Sequence, residues 1–271
     1  MPISRIINPA RSRLEAGELS LGVGIRQSRV VDVALIMKNA GMDWLFIDLE
    51  HSPMDLETAA QISMMALAVG ISPIVRIPHG AFELASRALD AGALGIVVPH
   101  VESAEQARDI VQRLRYAPQG ERGVSGMIPQ FGYSRVDLRE ATTELNRSVL
   151  LVVMLETPEA VSHAEEIAAV DGIDVVMLGT NDFAMALGHP GQFGHPAVDA
   201  AYDTIAEACR KQGKWAGSGG LGDPKHFERC VTNNVQFILA GSEAPLLMQA
   251  ARERADLLRG FQGDNIVTFS R

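Results

Sequence analysis

Two acidic residues follow two successive apolar segments of this 271-residue chain. Residues 149–155 (Val-Leu-Leu-Val-Val-Met-Leu) precede Glu156, and residues 174–179 (Asp-Val-Val-Met-Leu-Gly) lie just before Asp182. Apolar runs of this kind are typical of buried parallel strands, so both acids are predicted to lie at strand ends. Two carboxylates at one site suit Mg²⁺, Mn²⁺ or Co²⁺. The equal alternative is that each acid caps the helix that follows it.

A second acidic group lies near the N-terminus. Asp48, Glu50 and His51 end the predicted strand 43–50, and the first two share a strand face with Phe46. A carboxylate beside an imidazole favours proton transfer, because it fixes one tautomer and makes the other nitrogen more basic. A structurally bonded histidine at a strand end is the competing interpretation.

Arg76 ends another predicted strand, two residues before Pro78. A guanidinium is always charged, and its fork fits carboxylates and enolates. A salt bridge to one of the nearby acids is the alternative, and one arginine can serve both purposes.

The pattern of the whole chain places these residues together. Each predicted strand is followed by a helical segment, and eight such units in one chain of this length predict a (β/α)₈ TIM barrel, in which the site lies at the C-terminal ends of the strands. A doubly wound open sheet is the alternative. Residues 1–271 are predicted to form a single domain with a C-terminal tail at 261–271, and the Gly- and Pro-rich residues 116–134 a long loop. The predicted strands are 20–25, 43–50, 72–78, 95–101, 149–156, 174–179, 214–220 and 235–241.

Other chemistries are disfavoured by residue placement. None of the four lysines is predicted at the C-terminal end of a strand, which argues against a Schiff base, and both cysteines, Cys209 and Cys230, fall in helical segments. Among the remaining histidines, His79 and His100 are predicted near the site. The others are predicted in loops or on helix surfaces: His163, His189, His195 and His226.

Residues 217–222 match the dinucleotide-binding pattern G-x-G-x-x-G, and Glu243 follows about twenty residues later. In dinucleotide-binding folds this motif normally opens the first βα unit, whereas here it lies in the seventh. A crowded barrel loop is therefore the preferred interpretation.

Composition narrows the class of partner. The net charge of −9 and the absence of a basic stripe disfavour nucleic acid. The arginines 108, 113 and 115 are explained by a solvated helix face. The longest uncharged run, residues 58–75, contains Gly70 and Pro73, so no membrane span is expected, and the N-terminus lacks the apolar core of a secretory signal. With only two cysteines, a reducing, cytoplasmic location is predicted.

Several motifs resemble the HpcH/HpaI aldolases, over roughly residues 17–258. Each motif is weak alone, but their order and spacing together are specific. They are Asp-Trp-Leu-Phe-Ile-Asp-Leu-Glu-His-Ser-Pro (43–53), Val-Arg-Ile-Pro (75–78), Leu-Asp-Ala-Gly-Ala (89–93), Arg-Tyr-Ala-Pro-Gln-Gly-Glu-Arg-Gly (115–123), Leu-Glu-Thr-Pro-Glu-Ala (155–160) and Gly-Thr-Asn-Asp-Phe (179–183).

The resemblance implies a divalent-metal-dependent aldolase that reversibly cleaves a 4-hydroxy-2-oxo acid into pyruvate, or a related 2-oxo acid, and an aldehyde. It also implies a barrel that forms a homohexamer, with the last helix exchanged between neighbours. The implied roles are metal binding by Glu156 and Asp182, enolate binding by Arg76, an acid/base relay of His51 with Asp48, a contribution of Asp90 from an adjacent subunit, and substrate binding at Gly179, Thr180 and Asn181.

The pocket wall departs from the family pattern. Met154 replaces a common Gln, Thr180-Asn181 replaces Pro-Ala or Pro-Thr, residues 79–82 replace Trp-Asn-Asp-Pro, and His100 replaces Met or Phe. Two other functions therefore stay open. One is a lyase for a β-hydroxyacyl-CoA such as malyl-CoA or citramalyl-CoA, and the other is a non-catalytic or dinucleotide-binding barrel.

Overall fold

Eight parallel strands close into a barrel in sequential order from β1 to β8, and β8 pairs with β1. The computed structural model describes residues 5–220 and 224–261. The predicted (β/α)₈ barrel is therefore confirmed and the open sheet is excluded. The strands are β1 (Ser20–Ile25), β2 (Trp44–Asp48), β3 (Ser72–Arg76), β4 (Gly95–Val98), β5 (Leu150–Leu155), β6 (Val175–Gly179), β7 (Trp215–Gly219) and β8 (Val235–Ser242).

Helices follow the strands around the outside of the barrel. The segment predicted as one helix after β5 is two short helices, because His163 between them has φ −97° and ψ 9° and interrupts the helical path. The helices are α1 (Pro9–Glu15), α2 (Asp32–Asn39), α3 (Leu56–Val69), α4 (Phe82–Asp90), α5 (Ala104–Leu114), α6 (Leu138–Ser148), α7 (Pro158–Ser162), α8 (Ala164–Ala168), α9 (Thr180–Ala186), α10 (Pro196–Gln212), α11 (Pro224–Thr232) and α12 (Glu243–Gly260).

The core has two layers, one inside the barrel and one between the barrel and its helices. The inner layer contains Phe46, Ile74 and Met154. Side chains alternate along a strand, so the residues two positions later also face the barrel interior. Those residues are Asp48, Arg76 and Glu156, and the inner core thus leads directly to the predicted site.

Helix α1, which the sequence did not predict, closes the opposite end of the barrel. Ala10 and Leu14 belong to the inner apolar cluster. The Asn8 side chain donates to the carbonyls of Leu94 (2.9 Å) and Ser148 (2.7 Å) and accepts from the Ser72 hydroxyl (2.7 Å). These bonds fix the helix below the barrel floor.

Arg115 is buried, so its prediction as part of a solvated face was wrong. Its guanidinium donates to the carbonyls of Gly172 and Asn146 and to the Asp174 carboxylate, the last at 2.6 Å. A charge out of water needs such partners, and here they tie the loops at the N-terminal ends of β5 and β6 together.

Candidate active site

A cavity of about 230 Å³ opens at the C-terminal ends of the strands. Phe46 and Met154 from the inner core line it. It also contains six of the residues that the sequence singled out: His51, Arg76, Gly179, Thr180, Asn181 and Asp182. The barrel therefore brings segments more than a hundred residues apart to one place.

Neither Glu156 nor Asp182 caps a helix. The N-cap of α7 is Thr157, whose hydroxyl accepts from the Ala160 N–H at 3.1 Å. Helix α9 begins at Thr180, before Asp182, and its N-cap Gly179 has no side chain. The capping alternative is thus excluded for both acids, and their positions at the ends of neighbouring strands need another explanation.

The Glu156 carboxylate lies in an environment that opposes its negative charge. Burial raises the pKa of Glu156 to about 7, and the charges of Asp182 and Glu50 add to the rise. The backbone N–H and ring of His100 act in the opposite direction but do not balance it. A cation bound here would relieve this excess of negative charge.

Gly179 makes room for this carboxylate. A Cβ at position 179 would lie 2.6 Å from Cγ of Glu156, closer than atoms can approach. The absence of a side chain at the end of β6 therefore allows Glu156 to pack directly against this strand end.

The donor set fits a hard divalent cation. Glu156 and Asp182 offer carboxylate oxygens, which are the ligands that Mg²⁺ and Mn²⁺ prefer. Within residues 5–220 and 224–261 there is no cluster of three or more His, Cys, Asp or Glu side chains with metal-binding geometry. A two-acid site of this kind leaves coordination positions for water and for substrate oxygens.

Arg76 is held by two acids from β2 and the loop after it. Its Nε and Nη2 donate to Asp48 at 3.0 and 2.7 Å, and its Nη1 lies 3.0 Å from Glu50. The guanidinium also lies over the Phe46 ring, 5.0 Å from its centre. The salt-bridge alternative is thus realised, yet a guanidinium has five N–H donors and only two of them donate to Asp48, so others stay available beside the cavity.

Arg26 completes this group, although no sequence motif indicated it. It follows β1 directly and donates to Asp48 at 2.7 Å. Burial by itself would raise the pKa of Asp48, but hydrogen bonds and charge from Arg76, with help from Arg26, hold it below the usual value. The position right after a strand was the signal that would have identified Arg26.

The imidazole of His51 faces Glu50 at 3.6 Å (Nε2 to Oε2) and not Asp48. Asp48 instead accepts the backbone N–H of His51 at 3.2 Å. Asp48 therefore positions the loop that carries His51, while Glu50 is the carboxylate beside its ring.

His100, which the sequence predicted only to lie near the site, contacts Glu156 directly. Its backbone N–H and its Nδ1 approach the same oxygen of Glu156, at 2.7 and 2.9 Å, and its Nε2 lies 3.8 Å from Glu50. Its backbone φ of 55° is in the left-handed region, which residues other than glycine rarely adopt. This backbone conformation accompanies a double contact with the Glu156 carboxylate.

A buried hydroxyl chain supports the start of α9. The Tyr202 hydroxyl lies 2.6 Å from that of Thr180 and 2.8 Å from that of Ser218. Burial raises the pKa of Tyr202, so it stays neutral. His226 packs against the Tyr202 ring and is buried, so its predicted surface location was wrong.

Two sequence candidates lie away from the cavity or have another role. Asp90 forms an ion pair with Arg122 at 2.6 Å, and it does not line the cavity described for this single chain. Glu243 accepts the backbone N–H groups of Arg26, Gln27 and Ser28, which joins α12 to the loop after β1. Gly222 of the dinucleotide pattern lies outside the described residues.

The chain matches known proteins over most of its length. Residues 27–250 match the family model described as HpcH/HpaI aldolase/citrate lyase. The chain is 34% identical to 4-hydroxy-4-methyl-2-oxoglutarate aldolase of Chaetomium globosum (90% of this chain, 92% of the relative). It is 35% identical to hydroxypyruvate/pyruvate aldolase of Cupriavidus necator (93% of each chain).

A solved structure shares the fold as well. The crystal structure of an HpcH/HpaI aldolase from Desulfitobacterium hafniense superposes with a TM-score of 0.87 and 28% identity, covering 99% of this chain and 100% of the other. The resemblance inferred from the sequence motifs is confirmed.

Proposed function

Because this chain belongs to the HpcH/HpaI aldolase/citrate lyase family, we propose that it is a divalent-metal-dependent aldolase. It reversibly cleaves a 4-hydroxy-2-oxo acid into pyruvate, or a related 2-oxo acid, and an aldehyde. The observation that carries the proposal is the pair of acids at the ends of β5 and β6, neither of which caps a helix. The relatives' names, which refer to free 2-oxo acids, support this substrate class over a CoA ester.

Glu156 and Asp182 would hold the metal, which is Mg²⁺, Mn²⁺ or Co²⁺. When bound, the metal supplies a Lewis acid that polarises the 2-oxo group of the substrate. Gly179, Thr180 and Asn181 line the same cavity and would bind the substrate, with backbone N–H groups near Asn181 and Asp182 directed to its carboxylate.

Arg76 stabilises the charge that develops on the substrate. Two hydrogen bonds to Asp48 and an ion pair with Glu50 fix the orientation of its guanidinium, which lines the cavity. Fixed donors aimed at a developing enolate lower the barrier more than mobile ones.

His51 handles the proton of the 4-hydroxyl group. In the cleavage direction its imidazole accepts this proton, directly or through a water molecule, while the C3–C4 bond breaks and its electron pair forms the enolate. A proton then returns to C3 to give the 2-oxo acid. Asp48 holds the loop of His51, and Asp90 of an adjacent subunit is proposed to join this relay.

Helix α12 supports a homo-oligomer, which we propose to be a hexamer with exchanged last helices. None of its residues is buried within one chain, and its exposed apolar side chains include Leu247, Met248 and Leu258. Exposed apolar patches of this kind mark contacts with another protein surface. We also propose a single domain over residues 1–271, and a cytoplasmic location agrees with the free Cys209 and Cys230. Within the described residues, no helix combines the length and apolarity that crossing a membrane needs.

The proposed reaction is tested by proton exchange at the pyruvate methyl group. In deuterated buffer with Mn²⁺ or Mg²⁺, NMR should show loss of the methyl signal. A chelator should stop the exchange and added metal should restore it. Borohydride with pyruvate should not inactivate the protein, because no lysine lines the cavity in the described part of the chain. Exchange that survives the chelator, or inactivation by borohydride, would contradict the proposal.

A further inference from the structure

The two acids proposed to hold the metal are fixed in different ways. The Glu156 carboxylate contacts the backbone N–H and the ring of His100, at 2.7 and 2.9 Å. Asp182 is exposed, and its carboxylate has no hydrogen bond or ion pair among residues 5–220 and 224–261. The position of Asp182 therefore depends on the backbone of α9, a helix of only seven residues that begins at Thr180.

Thr180 anchors this short helix to the rest of the barrel. It is fully buried, and its Oγ1 lies 2.6 Å from the hydroxyl of Tyr202 on α10. The same Tyr202 hydroxyl lies 2.8 Å from that of Ser218 on β7. Three hydroxyl groups thus join α9, α10 and β7. A helix of this length has little stability by itself, so such tertiary contacts must set its position.

The Tyr202 side chain is held firmly in place. Its buried ring packs against that of His226, with 4.8 Å between the ring centres, and His226 in turn contacts the buried Cys230 thiol at 3.2 Å (Nε2 to Sγ). The hydrogen-bond partners of the Tyr202 hydroxyl are Thr180 and Ser218. Moving this hydroxyl away from Thr180 would leave a buried polar group unpaired, which opposes the movement.

We propose that Tyr202 is a positioning residue of the metal site: through Thr180 it fixes the first turn of α9, and thereby the carboxylate of Asp182. This inference rests on the proposed aldolase function, in which Asp182 is a metal ligand. Asp182 lies two residues after Thr180 in the same helical turn, so a shift of the helix start is passed on to it. Loss of a group that orients a metal ligand typically lowers metal affinity or activity about 10- to 100-fold.

The experiment measures Mn²⁺ binding by calorimetry, which needs no substrate turnover. Tyr202→Phe removes one hydroxyl and keeps the ring, and it should lower the affinity for Mn²⁺ about tenfold. The matched control is Ser63→Ala, which removes another buried hydroxyl, bonded to the Ala59 carbonyl within α3 at 2.7 Å. Both variants lose a buried hydrogen bond, but Ser63→Ala should keep the affinity within about twofold of the wild-type value.

A double-mutant cycle tests the route through Thr180. Thr180→Val should itself lower the affinity for Mn²⁺ about tenfold, and adding Tyr202→Phe should lower it by less than about a further twofold, because the contact is already absent. Independent losses that multiply to about a hundredfold would overturn the inference. If Tyr202→Phe does not fold, Thr180→Val removes the same contact from the other side, and an unchanged affinity in that variant overturns the inference.

Hydrogen exchange in the metal-free protein gives a second measurement. In Tyr202→Phe, mass spectrometry should show about tenfold faster amide exchange than in the wild type for a peptide covering α9, and unchanged exchange for one covering α5. Faster exchange in both helices would indicate a general loss of stability, and unchanged exchange in α9 would show that Tyr202 does not hold it. Either result contradicts the positioning role.

Asp182→Asn separates failure of this inference from failure of the proposed function. If the wild type binds no Mn²⁺, or Asp182→Asn binds it as tightly as the wild type does, the proposed metal site is wrong. If Asp182→Asn loses Mn²⁺ binding but Tyr202→Phe behaves as Ser63→Ala does, the metal site stands and the role of Tyr202 is overturned.

Discussion

One group of carboxylates lies at the end of β2 and another at the ends of the neighbouring strands β5 and β6, and the two groups have opposite electrostatics. At the end of β2, Asp48 contacts two arginines, Arg76 and Arg26, and its pKa is held below the usual value. After β5, the hydrogen-bond and ion-pair partner of Glu156 among the described residues is His100, and burial with two nearby acids raises the pKa of Glu156 to about 7. At the same end of the barrel, the negative charge of Asp48 is thus neutralised by arginines, whereas the negative charge around Glu156 is not.

This difference separates positioning from binding. A carboxylate paired with arginines is already satisfied and serves to orient Arg76 and the His51 loop. A buried carboxylate without a cationic partner destabilises the folded state. Such groups are found at functional sites, where a bound ligand supplies the missing positive charge. Neutralising one acid of each group should therefore have different consequences.

The largest effect is expected for Glu156→Gln. Without this carboxylate, metal affinity should fall about a hundredfold or more and pyruvate methyl exchange on the order of a thousandfold, because a direct ligand is lost. Calorimetry with Mn²⁺ and NMR exchange measure the two quantities. Glu102→Gln, an exposed acid near the end of β4, is the matched control and should change neither. Unchanged metal affinity in Glu156→Gln would remove the distinction between the two groups.

Asp48→Asn should leave metal binding intact and impair catalysis and stability. Metal affinity should stay within about twofold of the wild-type value. The kcat/KM of the aldol reaction should fall about 10- to 100-fold, because Arg76 loses its fixed orientation. The buried ion pair is broken, so the free energy of unfolding should decrease by about 3 kcal/mol. Glu207→Gln breaks an exposed pair with Arg210 and should hardly change stability. Loss of metal binding in Asp48→Asn would contradict the assignment of this side to positioning.

The smallest effect concerns pH in the metal-free protein. The native Glu156 pKa of about 7 lies above the ordinary 4.5, so the native state binds the extra proton between these values and stability should fall as pH rises through that window. Relative to Glu156→Gln, the wild type should lose about 1–3 kcal/mol between pH 5 and pH 8 in urea unfolding with chelator. Saturating metal should abolish this loss of stability in the wild type, because the bound cation keeps Glu156 ionised. A wild type that gains stability over this range would show that Glu156 is paired after all.

The sequence predicts the barrel well because the strand and helix patterns that specify it lie within short segments of the chain. Near-continuous apolar runs separated by helical patterns specify parallel strands, and β1 was predicted to the residue. The observed alternation inside β2 and β5 also places Asp48 and Glu156 on the interior face, in agreement with the period of two residues in a strand.

What the sequence could not predict depends on contacts between distant segments. The helix patterns of α5 and α11 gave no sign that Arg115 and His226 are buried, because their partners Asp174 and Tyr202 come from other elements. The direction of the His51 ring toward Glu50 is likewise set by loop geometry. A short helix such as α1 is stable only through its tertiary contacts, so its propensity alone was a poor guide.

Helix α1 also affects how the protein can be engineered. Because Asn8 bonds the carbonyls of Leu94 and Ser148, and Ala10 and Leu14 pack in the inner apolar cluster, helix α1 cannot be removed without a loss of core packing. Truncation past Asn8 would expose the inner apolar layer to water from below.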